Sequence, residues 1–340
     1  MASDEFDIIQ RYFNASALAF SVPELRLGIG DDCALLEMPP HSRLAMSMDL
    51  LQEGVHFPPD ADPFLLGKRT LLVNLSDLAA MGARPVCFTL GLSLPSCNEQ
   101  WLQRFSEGLA QVAQAHHCAL VGGDLTASNP QMPSISICVQ VHGELPKDEA
   151  LCRNGAGVGD KIYVTGTLGD AAAGLAVLQN RSPESLSDAA KATLLRAFYE
   201  PESRIEAGQM LRAFATSCID VSDGLASDLL HILKASGVGA RIDVSTVPMS
   251  AAFCQAIDKE QRVDLALGGG DDYELCFTVP SELEAAMLQA AAQKNIAVTC
   301  IGDIRQGSDV SWTNAGQDAA LNVRGYNHFV QLSKHAQGVA

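Results

Sequence analysis

Apolar residues run along this chain in two rhythms, one every three or four positions and one every second position, punctuated by Gly, Pro and Asp. Phe6, Ile9 and Phe13 repeat at helical spacing and predict a short N-terminal helix. After a Gly-Ile-Gly-Asp-Asp turn at 28–32, the short stretches 34–36 and 44–48 predict strands. Asp62 suits a helix N-cap, Pro63 the first helical position and Gly82 the residue just past the end. The strongly apolar stretch between them predicts a mostly buried helix over 63–81 that carries Asn74, Ser76 and Asp77. A strand over 86–94, a helix over 99–116 and an alternating strand over 134–142 follow.

Between about 145 and 158 the pattern breaks into Leu145-Pro-Lys-Asp-Glu149 and the glycines Gly155, Gly157 and Gly159, which reads as a domain boundary. Beyond it come a strand at 161–165, helices rich in Ala and Leu, a strand at 218–221 and a helix over 223–235. Further strands are expected at 273–279, 298–301 and 310–313. Strands and helices mix in both halves, so the fold class is α/β (α+β), with domains at 1–148 and 149–335. A chain of 340 residues also exceeds one typical core.

Composition narrows the function. A formal net charge of −17 argues against a basic phosphate-tracking surface, so no nucleic-acid partner is expected. An anionic substrate would then need help from cations. The 10 cysteines show no CxxC pair and no Cys/His ligand spacing, and read as reduced thiols of a cytoplasmic protein. No apolar run follows a basic start and none reaches 18 residues, so neither a signal peptide nor a membrane span is expected.

Asp recurs beside Gly or Ser at the ends of apolar stretches: Gly30-Asp31-Asp32, Ser47-Met48-Asp49, Ser76-Asp77, Gly122-Gly123-Asp124, Asp220-Val221-Ser222-Asp223 and Gly269-Gly270-Asp271-Asp272. Glycine lets backbone approach a phosphate or metal, and carboxylates are the hard oxygen ligands of Mg²⁺. Taken singly, each is more often an Asx turn or a helix cap. Six together point to a metal-and-phosphate site. Asp77 is the most telling, because it lies inside an apolar helix where an unpaired carboxylate is costly. Other signals fail: there is no P-loop, no Gly-x-Ser-x-Gly elbow, and the glycines at 155–159 precede a strand where a dinucleotide motif would follow one. His116 and His117 are adjacent on a helix and point apart, which suits a surface or domain-boundary place better than metal binding.

These motifs carry a family resemblance. Gly28-Ile-Gly-Asp-Asp-Cys-Ala34, Val73-Asn-Leu-Ser-Asp-Leu-Ala-Ala-Met-Gly-Ala83, Val121-Gly-Gly-Asp124, Ile219-Asp-Val-Ser-Asp-Gly-Leu225, Gly269-Gly-Asp-Asp-Tyr-Glu-Leu275 and Gly325-Tyr-Asn-His-Phe329 resemble the thiamine-monophosphate kinase family, in that family's order, across about residues 5–330. The resemblance implies an aminoimidazole ribonucleotide synthetase-like fold whose N-terminal domain pairs with its copy in a homodimer and whose C-terminal α/β domain closes an active-site cleft. It implies ATP as co-substrate, thiamine monophosphate as acceptor and several Mg²⁺ ions. By motif match the metal ligands are Asp32, Ser47, Met48 through its backbone, Asp49, Asp77, Asp124, Asp220 and Asp223. The nucleotide falls to Gly123, Asp124, Arg153 and Ser222, and the thiamine phosphate to His56, Asp271 and Tyr326.

Three positions depart from the family pattern: Met48 for the usual Thr, Asp271 for the usual Glu, and His116 for an aromatic, often Tyr. The residues alone also leave bland roles open. Tyr326 suits a C-terminal core anchor, His56 a cap and Arg153 a solvated boundary residue. Two rival functions stand beside the kinase: another ATP-dependent synthetase of the same superfamily, and a regulator that binds Mg-ATP without turnover.

Overall fold

Asp62 opens the central helix as its sequence predicts: its carboxylate accepts from the N–H groups of Phe64 and Leu65 at 2.9 and 3.1 Å, and Pro63 takes the first helical position. A computed structural model of the chain describes residues 5–14, 17–319 and 321. The chain divides into two compact units, one of residues 1–150 with 199–212, the other of 151–198 with 213–340.

In chain order the first unit holds α1 (Glu5–Ile8), continued by a π-helical turn (Ile9–Asn14), β1 (Leu25–Leu27), β2 (Leu35–Leu36), β3 (Ser42–Gln52), α2 (Pro63–Ala80), β4 (Arg84–Leu94), α3 (Glu99–Ala115), β5 (Ala119–Ala127) and β6 (Ser136–Pro146). Among the described residues β3–β6 form one sheet in the order β3-β6-β4-β5, antiparallel except for the parallel β4–β5 pair. Burial alternates along β6, so one sheet face is covered and the other is open. Helix α2 packs on α3 through two glycines. A Cβ on Gly67 would sit 2.2 Å from the Phe105 carbonyl oxygen, and one on Gly108 1.9 Å from that of Phe64.

After β7 (Lys161–Thr165), α4 (Asp170–Leu178) and α5 (Asp188–Tyr199), the chain contributes α6 (Ile205–Leu211) to the first unit. Gly208 there lies so close to α2 that a Cβ would meet the Ala79 carbonyl oxygen at 1.9 Å. The sequence pattern shows helix at this point but not the unit that receives it. The second unit continues with β8 (Ser217–Val221), α7 (Leu225–Ser236), β9 (Gly239–Asp243), α8 (Ala251–Ala256), α9 (Arg262–Gly268), β10 (Glu274–Val279), α10 (Glu284–Gln293), β11 (Val298–Arg305), β12 (Val310–Asn314) and β13 (Gln317–Asp318). Its mixed sheet runs β13-β12-β9-β11-β7-β10-β8. A core of Ile162, Val164, Val221, Leu229, Ile242, Phe253 and Ile304 lies against it.

One local expectation needs correcting. Gly122-Gly123-Asp124 ends the apolar stretch but is no turn: it lies in the middle of β5. Gly123 serves strand packing: a Cβ there would sit 2.0 Å from the Leu90 carbonyl oxygen on β4.

Candidate active site

The acidic residues of the first unit fall into two groups. Ser47 and Asp49 alternate with Met48 along β3, so Ser47 and Asp49 turn towards α2 and the Met48 side chain turns to the open face, 61% exposed. From β3 the Ser47 hydroxyl donates to Asp77 Oδ2 at 2.5 Å. The Asp49 N–H donates to Asn74 Oδ1 at 3.2 Å, and the buried Asn74 amide donates back to the Thr70 carbonyl at 2.8 Å. Asn74 and Asp77 are three residues apart and share a helix face, which fixes α2 on β3 at this point. Asp77 is half-buried among Leu75, Ser76, Leu78 and Ala79, all buried.

The second group lies around a cavity of about 730 Å³, lined by Ile9 and Phe13, by Gly30, Asp31 and Asp32, and by Gly123 and Asp124 of β5. Asp32 and Asp124 are exposed there. β3 and β5 are the two edges of the four-stranded sheet, three strand spacings or roughly 14 Å apart. A single chain therefore does not bring Asp49 and Asp124 onto one ion. His56 lies in the turn after β3, where its Nδ1 accepts from the Gln52 N–H at 2.9 Å, which leaves the proton of a neutral ring on Nε2.

In the second unit β8 ends in the run that matters. Asp220 is buried in the strand, and Ser222 and Asp223 are half-buried in its connection to α7. The Asp271 N–H donates to the Ser222 carbonyl at 2.7 Å and the Tyr273 N–H to the Val221 carbonyl at 2.8 Å. The expected acceptor-binding residue is thus laced to an expected nucleotide-binding one. Asp271 sits at φ +67°, a left-handed conformation that short polar side chains tolerate better than Glu does. That gives a local reason for the shorter acid at this position. Arg153 is exposed, and Ser236 at the end of α7 accepts from the Gly155 and Ala156 N–H groups at 3.2 Å beside it. Tyr326 lies outside the described residues.

Sequence reasoning assigned no role to two buried carboxylates near these residues. Asp228, in the first turn of α7, accepts from the Ser222 and Asp223 N–H groups. Burial and then the Asp223 charge push it up to about 7, against the pull of those N–H donors and of Arg153. Asp272 takes the Gly169 N–H on both oxygens at 2.9 Å, and burial pushes its carboxyl well above the usual range. Asp272 stood in the Gly269-Gly270-Asp271-Asp272 run without a role of its own, and the only sequence signal for Asp228 was an acid inside a mostly apolar helix. His116 closes α3 as its C-cap, and burial, then the neighbouring His117 charge, lowers its pKa.

Oxygen donors in pairs suit Mg²⁺, which is held by one or two carboxylates while water and substrate phosphates complete its shell. Among the described residues no three His, Cys, Asp or Glu side chains converge as a ready-made metal cage. The donor set fits an ion that arrives with a phosphate better than one held by protein alone.

Two family models match: AIR synthase related protein, N-terminal domain, over residues 30–145, and AIR synthase related protein, C-terminal domain, over residues 157–313. Thiamine-monophosphate kinase of Escherichia coli (strain K12) is 46% identical over 331 residues, 97% of this chain and 99% of that protein. The crystal structure of thiamine-monophosphate kinase from Stenotrophomonas maltophilia K279a superposes with a TM-score of 0.80 at 41% identity, covering 87% of this chain and 93% of that one. A structure described as AaThiL complexed with AMPPCP and TMP has a TM-score of 0.74 at 30% identity and covers 96% of this chain and 97% of that one.

Proposed function

The chain belongs to the thiamine-monophosphate kinase family, and on that footing we propose that it transfers the γ-phosphoryl group of ATP to thiamine monophosphate, giving thiamine diphosphate and ADP. The observation that carries this reading is the near end-to-end likeness to a relative solved with AMPPCP and TMP. Beside it, Asp77 is placed on a buried helix and met by Ser47 from a neighbouring strand.

The chemistry fits a site without a covalent nucleophile or a dedicated base. A phosphate monoester has its second pKa near ~6, so the acceptor oxygen is already mostly anionic at neutral pH. The barrier is repulsion between two anions and their alignment. Bound Mg²⁺ would supply charge neutralisation and orientation of the phosphates. Asp32, Ser47, Met48 through its backbone, Asp49, Asp77, Asp124, Asp220 and Asp223 are the residues proposed to hold several such ions, with Asp49 and Asp124 of one chain on different ones. Gly123, Asp124, Arg153 and Ser222 are proposed for the nucleotide, with Arg153 giving a paired contact to phosphate. His56, Asp271 and Tyr326 are proposed for the acceptor, whose cationic thiazolium ring a carboxylate and an aromatic face both favour.

A homodimer through the first unit, and a cytoplasmic setting for a chain whose ten cysteines are all free thiols, complete the proposal. The deciding experiment is incubation with Mg-ATP and thiamine monophosphate, with thiamine diphosphate and ADP read by chromatography. Formation of both, abolished by excess EDTA, is expected. ADP without thiamine diphosphate would point to another ATP-dependent synthetase, and nucleotide binding without ADP to a regulator.

A further inference from the structure

We propose that Asp228 is a positioning residue for Mg-nucleotide binding, an inference that rests on the kinase reading above. The turn from β8 into α7 presents Ser222 and Asp223, and both of their N–H groups point inward. Each donates to the same atom, Oδ2 of Asp228, at 3.0 and 3.1 Å. Asp228 is 3% exposed and lies on α7 itself, four residues beyond Gly224, the N-cap. Gly224 has φ +103° and no side chain to cap the helix, and its carbonyl takes the Ser227 and Asp228 N–H groups at 2.9 and 3.0 Å. Asp228 thus ties the connection back onto the helix from inside.

This arrangement has a chemical consequence. N–H groups around a helix start commonly serve as an anion cradle. Here a carboxylate of the chain already occupies two of them, so phosphate has no free cradle on Ser222 and Asp223. What the half-buried connection has left to offer a ligand is the Ser222 hydroxyl and the Asp223 carboxylate, groups suited to a cation and its water. The Ser222 carbonyl is also engaged, by Asp271 N–H at 2.7 Å. Asp228 therefore fixes the backbone that carries these two side chains, while the nucleotide is proposed to touch Ser222 and the metal Asp223, and neither to touch Asp228.

Both bonds use one oxygen, which separates hydrogen bonding from charge. Asp228→Asn keeps a carbonyl oxygen in the place of Oδ2 and removes the charge. Asp228→Glu keeps the charge and moves the oxygens by a methylene. The test is calorimetric titration of the full chain with AMPPCP at fixed Mg²⁺, without thiamine monophosphate, beside melting temperature and KM against kcat for Mg-ATP. Asn is expected to bind within about threefold of the parent chain. Glu and Asp228→Leu are expected to lose about tenfold or more, chiefly in Kd and KM. Should Leu not fold, the order of Asn and Glu decides. Glu binding as tightly as the parent while Asn is impaired overturns the proposal, as does a folded Leu variant with unchanged Kd. A chain that binds Mg-AMPPCP but makes no thiamine diphosphate overturns the kinase reading instead, and the order of the variants still decides Asp228.

Discussion

A carboxylate on a helix packed on nearly every side costs stability unless a partner or a ligand takes it up. Asp77 is such a group, with the Ser47 hydroxyl 2.5 Å from Oδ2. Asp77→Asn keeps size and can keep the Ser47 bond, so the fold should stay and the metal-binding charge should go. We expect kcat/KM to fall by about 100-fold or more, roughly 2.7 kcal/mol, with an unchanged or higher melting temperature. Near-normal kcat would make Asp77 structural. Asp271 allows an equally clean exchange. Its left-handed φ of +67° suits Asn as well as Asp, so Asp271→Asn removes charge without straining the backbone. Loss of one attraction to a cation remote from the transferring phosphate should cost roughly 1 kcal/mol. The KM for thiamine monophosphate should rise by about fivefold, with kcat and the KM for ATP little changed. Equal rises in both KM values would mean that Asp271 supports the whole turn instead of the acceptor.

At the scale of elements, α2 sets the first group of site residues on β3, and its start is the place to test that. Asp62 caps α2 and takes both bonds of an Arg104 side chain at 3.1 and 2.8 Å. Burial draws its pKa up, but the Leu65 N–H, Arg104 and the Phe64 N–H outweigh this and leave it lowered. A lowered carboxylate pKa means stability that is full above the unfolded value near ~3.9 and is lost as pH falls through the lower folded value. Asp62→Ala should therefore cost about 1 kcal/mol in urea unfolding at pH 7, and the deficit should shrink as pH falls below about 4. A pH-independent deficit would separate the loss from the carboxylate's charge. That cap was legible in the sequence because Asp-Pro before an apolar run is a local signal. So were β7 and β4, whose apolar runs sit between turn residues. β5 was missed because its Gly-Gly-Asp looks like a turn until β4 lies alongside it and excludes a Cβ from Gly123. The roles of Asn74 and Asp228 were invisible for the same reason, since each acts on backbone that only folding brings near.

For the whole molecule, a net charge of −17 makes association of two copies unfavourable over most of the surface. One face escapes that. Leu44, Met46, Met48 and Leu50 project from the same side of β3, an edge strand, at 40%, 60%, 61% and 55% exposure. Scattered exposed apolar residues need no explanation, but four in register along one edge of a sheet form a stripe that water disfavours. The neighbouring residues on β6 are Glu144, His142, Gln140 and Cys138, of which only Glu144, at one end, is a carboxylate. Met48 gains a meaning here that its place among the expected metal ligands obscured. Its side chain faces away from Ser47 and Asp49, so a hydroxyl at this position would not point at Asp77 either, and an apolar side chain suits a covered face. We expect a dimer at micromolar concentration by sedimentation. Met48→Glu should shift it to monomer while circular dichroism stays unchanged, because the substituted side chain is solvent-facing in the single chain and meets charge repulsion only when a second copy covers it. A parent chain that sediments as a monomer would remove the dimer altogether. A Met48→Glu variant that stays dimeric would move the interface off β3.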